Sequence, residues 1–200
     1  MKRALFVFLC AAALGSCAKE KTMTVTSSAV DENGFIADMY GYNDPENLDA
    51  AGMPIYSIPF EISNAPEEAV TFAILFEDKD AFPVSRGFSW IHWTAANIKT
   101  TSVPAGAAQN APDFVQGVNS WWSIQGGSRN AEEVSCYGGP APYDGKVHVY
   151  ELHVYALDCE LPLENGFLMN EMFHAMEGHV LAACSMKAKY QLKNVDGQAE

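Results

Sequence analysis

A loop stiffened by glycine and proline that runs straight into a long strand constrains this chain more than any other stretch. It spans Tyr137 to Asp158 and reads YGGPAPYDGKVHVYELHVYALD. Gly138 and Gly139 admit backbone angles closed to other residues, and Pro140 and Pro142 stiffen the backbone beyond them. Asp144-Gly145 suits a tight reversal. From Val147 to Leu157, β-branched and aromatic residues dominate, which predicts a strand. Side chains alternate across a strand, so His148, Tyr150, Leu152 and Val154 share one face. Two polar side chains therefore stand together at the start of a strand beside a rigid loop, where ligand pockets commonly form.

The rest of the chain supplies more strands than helices. Ala69 to Phe76 (AVTFAILF) is almost wholly apolar and predicts a strand buried on both faces, ending in Glu77-Asp78-Lys79-Asp80. Phe88 to Ile98 predicts another, with Phe88, Trp90, His92 and Thr94 on one face and Ile91, Trp93 and Ala95 on the other. Pro59 inside Ile55 to Ile62 argues for an edge strand there. Residues 99–135 lack periodicity and predict irregular loops over the sheet, anchored by Trp121 and Trp122. Leu163 to Glu177 carries apolar residues at helical spacing and stops at Gly178, and His179 to Gln191 alternates as a last strand. The expected fold is mainly β with a sandwich-like core and one late helix. Two hundred residues, 48% of them hydrophobic, suffice for one such domain.

Lys2 and Arg3 precede an apolar run from Ala4 to Leu14, too short to span a bilayer, which predicts a signal peptide over residues 1–16. Leu14-Gly15-Ser16-Cys17 resembles a bacterial lipobox. Cys17 is then the lipidated first mature residue, residues 17–28 a tether, residues 29–193 the domain and residues 194–200 a tail. Ala18 follows Cys17, so an outer-membrane anchor in the cell envelope is expected. Loss of residues 1–16 leaves 184 residues and, with Lys2 and Arg3 gone, moves the formal charge from −13 to −15. Such a body repels nucleic acid. Cys136, Cys159 and Cys184 fit no zinc spacing.

Four polar clusters fall at strand ends: Asp78 with Asp80, His92, Tyr137 with the glycines, and His148 with Tyr150. Taken singly, Asp78 and Asp80 fit a solvated turn and His92 fits a core histidine. Together they would suit a small anion carrying hydroxyl or amine groups. Asp78-Lys79-Asp80-Ala81, then His92-Trp93 and Asn97, resembles the D-P-D-A-P…H-W…N signature of the phosphatidylethanolamine-binding protein family. Gly139-Pro140-Ala141-Pro142 with His148 and Tyr150 resembles its G-P-x-P-P…H-R-Y signature. Ala175 to Ala182 resembles the closing motif of the bacterial, Raf-kinase-inhibitor-like branch. The signature prolines are Lys79, Phe82 and Tyr143 here, and the arginine is Val149.

The resemblance implies a large antiparallel sheet packed on a smaller one, with an anion pocket at one end. It also implies a ligand set of Asp78, Asp80, His92, Gly139, His148 and Tyr150. In that set Asp78 and His92 orient and charge the site, Gly139 lends its N–H, and His148 and Tyr150 donate hydrogen bonds. The function expected is a lipid-anchored, non-enzymatic binding protein for a small anion or phosphorylated headgroup, without cofactor or metal. The alternative is an inhibitor or regulator of a kinase or peptidase acting through the pocket rim. A Cys136 nucleophile with His148 as base has no motif to support it. A metal bound by Asp78, His92 and His148 lacks short ligand spacings.

Overall fold

The computed structural model describes residues 21–110 and 113–193, so the signal segment, Cys17 and the tail lie outside the described residues. Among the described residues run β1 (Thr24–Thr26), β2 (Phe60–Ser63), β3 (Thr71–Asp78), α1 (Phe82–Ser85), β4 (Trp90–Ile98), β5 (Ser102–Val103), β6 (Val115–Gln116), β7 (His148–Leu157), α2 (Met169–Met176) and β8 (Val180–Tyr190). A five-stranded sheet has the order β6-β4-β3-β7-β8, and a three-stranded sheet the order β1-β2-β5. Every pairing within them is antiparallel. No described helix is long and apolar enough to cross a membrane.

The apolar run of β3 explains the layering. All eight of its residues are buried, with β4 on one side and β7 on the other. Phe72, Ile74 and Phe76 point toward the small sheet and pack with Phe60, Ile62, Trp93 and Leu152. Ala73 and Leu75 point the other way, into a cluster with Leu157, Phe167, Met172 and Met176. A strand sandwiched in this way cannot alternate polar with apolar residues, because both faces are core. Each large side chain so buried contributes roughly 1.5–3 kcal/mol.

Four expectations change. Val25 is buried and β1 pairs with β2, so the folded part begins within the stretch expected to be tether. β2 is the middle strand of the small sheet, not an edge. It starts at Phe60, after Pro59, so the missing proline N–H falls outside the ladder. The late helix is shorter than residues 163–177. Gly166 takes a φ of +89°, and Gly166 and Phe167 hydrogen-bond to Gln116 and Val118 instead of forming a helical turn. Trp121 packs edge-on against Trp90 at 5.1 Å, but Trp122 is 47% exposed and anchors nothing.

One irregularity matters for the site. Phe76 pairs with Trp93 and Glu77 with Ile91, leaving His92 as an extra residue in β4. Such a bulge turns a side chain that simple alternation would send elsewhere. His92 and Trp93, expected on opposite faces, therefore both meet the small-sheet side. His92 packs near Phe76 and Tyr150, and Trp93 near Phe60 and Tyr137.

Candidate functional site

The sheet register assembles the site. Asp78 ends β3 opposite Trp90 of β4 and Tyr150 of β7. His148 lies two residues before Tyr150 and so on the same face, just past the end of β3. Its Nδ1 is 2.7 Å from Asp78 Oδ2, and its Nε2 is 3.1 Å from Asp144 Oδ1. The other Asp78 oxygen accepts the N–H groups of Asp80 and Ala81, which fixes the carboxylate at the turn after β3. Asp78, Asp144, His148 and Tyr150 line a cavity of about 220 Å³ together with Trp90, His92, Trp121 and Tyr143. No lysine or arginine is among its lining residues.

The two histidines differ in their surroundings. Burial draws the His148 pKa down, but the carboxylates of Asp78 and Asp144 outweigh it and hold the ring above the ordinary histidine value. Burial likewise dominates at His92, which is 3% exposed, and there it wins, so this pKa is lowered. His92 Nδ1 sits 2.5 Å from the Gly138 carbonyl, while its Nε2 has no partner. The lowered pKa favours the neutral ring and works against His92 charging the site. Trp90 Nε1 and the Tyr150 hydroxyl are also buried without partners. Burial foremost, then the charge of Asp78 and the approach of its carboxylate, which falls short of hydrogen-bond geometry, hold the Tyr150 phenol well above its ordinary pKa.

Two expected ligands belong to the scaffold. Asp80 does not line the cavity, and its Oδ2 accepts the Val149 N–H at 2.8 Å, tying the start of β7 to the turn after β3. The Gly139 N–H donates to the Pro54 carbonyl at 2.7 Å and so cannot be lent to a ligand. Gly139 is required by close approach, not by positive φ, since a Cβ there would lie 2.3 Å from the Tyr40 carbonyl oxygen. Gly145 does turn as expected, at φ +71°. The residues sequence reasoning missed are Asp144, Trp90 and Trp121, while Tyr143 stands at the rim as expected. Asp144 was hidden inside a turn signal, whereas Trp90 shares His92's expected face and could have been found from it.

The rival chemistries do not assemble. Cys136 packs in a separate cluster with Met53, Val118 and Val134, away from the cavity, and burial pushes its thiol up to about 11. Asp78, His92 and His148 do not bring ligand atoms together. The groups close enough to share an ion, among the described residues, are Asp158 with Cys159 and His179, and Glu77 with Glu151 and His153. Lys79 already pairs with both glutamates of the second group.

With this geometry in view, comparison with known proteins decides the family. The family model for phosphatidylethanolamine-binding protein matches residues 26–191. The chain belongs to that family. It is 42% identical to the uncharacterised protein YxkA of Bacillus subtilis over 161 residues, covering 79% of this chain and 95% of that one. A relative from Chlamydia muridarum is 34% identical over 154 residues, covering 76% and 93%. Among solved structures, a phosphatidylethanolamine-binding protein homologue from Chlamydia trachomatis superposes with a TM-score of 0.68 at 28% identity, covering 86% of this chain and 99% of that one. Escherichia coli YbcL, with a TM-score of 0.66 at 22% identity over 86% and 100% of the two chains, shares the fold. The family signatures map onto this site unevenly. Asp78, His92, His148 and Tyr150 line the cavity, Asp80 and Gly139 support it, and Asn97 works elsewhere, bonding both the N–H and the carbonyl of Leu161.

Proposed function

We propose that this protein binds a small phosphorylated headgroup, or an oxyanion of like shape, in the cavity at the end of β3, without catalysing a reaction on it. The observation that carries the reading is the set of three buried polar atoms left without partners on its lining residues: Trp90 Nε1, His92 Nε2 and the Tyr150 hydroxyl. Buried polar groups in folded proteins are nearly always paired, and leaving one unpaired costs about 1–3 kcal/mol. A bound ligand would complete all three. Calorimetric titration with phosphoethanolamine tests this, using Tyr150→Phe as the variant. Removing a hydroxyl that has no partner should leave the melting temperature unchanged or slightly raised, while affinity falls roughly tenfold. Undiminished affinity in that variant would count against the reading.

A second reading, regulation of a partner protein such as a kinase or peptidase, is favoured by the rim. Phe82, which opens α1, Phe88 and Ile124 are 60%, 75% and 86% exposed, close in sequence to residues that line the cavity. Exposed apolar clusters of this kind mark interaction surfaces. A Phe88→Ser, Ile124→Ser double variant should then lose partners captured by the wild type, and equal capture would dismiss this reading. The basic, apolar N-terminal run supports delivery to the bacterial cell envelope, with a lipid on Cys17 as an outer-membrane anchor. A formal charge of −13 argues against nucleic acid as a partner.

A further inference from the structure

The headgroup reading is the premise here, and the hydrogen on His92 takes it further. A backbone carbonyl can only accept, so the ring nitrogen 2.5 Å from the Gly138 oxygen must carry the proton. Burial favours the neutral ring, and in that form Nε2 is a bare lone pair. Nothing in the protein donates to it. The groups around the ring are Asp78 from β3, His148 and Tyr150 from β7, and Trp121 from the segment between β6 and β7. Asp78 is already committed on both oxygens, and both His148 nitrogens face carboxylates. Trp90 Nε1 can only donate, and the Tyr150 hydroxyl can donate as well.

We infer that the ligand must itself donate a hydrogen to His92 Nε2 while accepting from Trp90 Nε1 and Tyr150. That is the pattern of an oxyacid retaining one proton, such as the monoanion of a phosphate monoester. A fully deprotonated monoester, or a diester monoanion without another donor, is rejected. The charge inventory points the same way, because the lining sets the two carboxylates Asp78 and Asp144 against two histidines, of which only His148 is disposed to be charged, with no lysine or arginine. An ammonium on the same ligand is the other possible source of the hydrogen.

The test is titration calorimetry at about pH 5, below the second ionisation of phosphate monoesters near ~6. There methyl phosphate and dimethyl phosphate are both monoanions, and only the first keeps a P–O–H. Methyl phosphate should bind roughly tenfold or more tightly. The gap should close in His92→Gln, whose amide can donate as well as accept. Phosphoethanolamine and glycerophosphoethanolamine then locate the donor. If the diester binds as well as the monoester the ammonium supplies it, and if it binds weakly the P–O–H does. Should His92→Gln fail to fold, ¹⁵N NMR of the wild-type histidines serves instead. It should show His92 protonated at Nδ1 and bare at Nε2 in the complex. Equal binding of the two methyl esters, a gap that persists in His92→Gln, or an Nε2-protonated His92 would overturn the inference while leaving the headgroup reading intact. No binding by any of the four probes would overturn both.

Discussion

His92 and His148 line one cavity yet respond to protons in opposite directions. The folded-state pKa of His148 lies above the ordinary value of about 6.5, because Asp78 and Asp144 together outweigh its burial. Its contribution to stability is therefore full below about pH 6.5 and is lost as pH rises through the folded value. For His92 burial lowers the pKa, so below about pH 6.5 the unfolded chain takes up a proton that the folded chain refuses. Stability tied to His92 is present above that pH and falls as acid is added. Melting temperatures measured from about pH 5 to 8.5 should show the gap between wild type and His148→Gln widest at the acid end. His92→Gln should instead relieve part of the acid sensitivity. A His148→Gln gap that stays constant across the range would contradict the assignment.

At the scale of elements, each face of the large sheet has its own task. α2 covers the face away from the cavity, burying Met172 completely and Met176 almost so. Met172→Ala should cost about 2–5 kcal/mol in denaturant melts. Phosphoethanolamine affinity should hardly change, because the cavity opens on the other face. Loss of affinity in step with stability would show that the two faces are not independent. The same division explains what could be read from sequence. β3 and β7 were legible because an unbroken apolar run and a clear alternation are local patterns. That His148 and Tyr150 share a face followed from counting along β7, whereas counting cannot show which strand ends meet, and Asp78 joined them only through the family resemblance. The bulge at His92 was not legible, because it is a mismatch between two strands and leaves no mark on either alone. The role of Gly139 was hidden for a like reason: it depends on Tyr40 and Pro54, far away in sequence.

The molecule as a whole is polarised. The cavity and the exposed Phe82, Phe88, Ile124 and Tyr143 gather at one end of the large sheet, whereas Asp158 and His179, 2.8 Å apart, join the two ends of the α2-containing connection between β7 and β8 at the other. Attachment to the envelope is expected through Cys17 and not through this end. Cys17→Ala should release the protein from membranes in a high-salt wash that leaves the wild type bound, since an acyl chain contributes ~0.8 kcal/mol per buried methylene. Equal partitioning, with no acyl mass on Cys17, would dismiss the anchor.

The bulge in β4 also bears on inheritance. Gaining or losing one residue between Trp90 and Thr94 would shift that segment by a position and bring Ile91 or Trp93 to the cavity in place of His92. Such a change cannot be made gradually, because no intermediate strand length exists. Lineages descended from this fold are therefore free to vary the loops at 82–88, 121–126 and 143–146, and with them the ligand. The length of β4 is the part they cannot edit without surrendering the histidine.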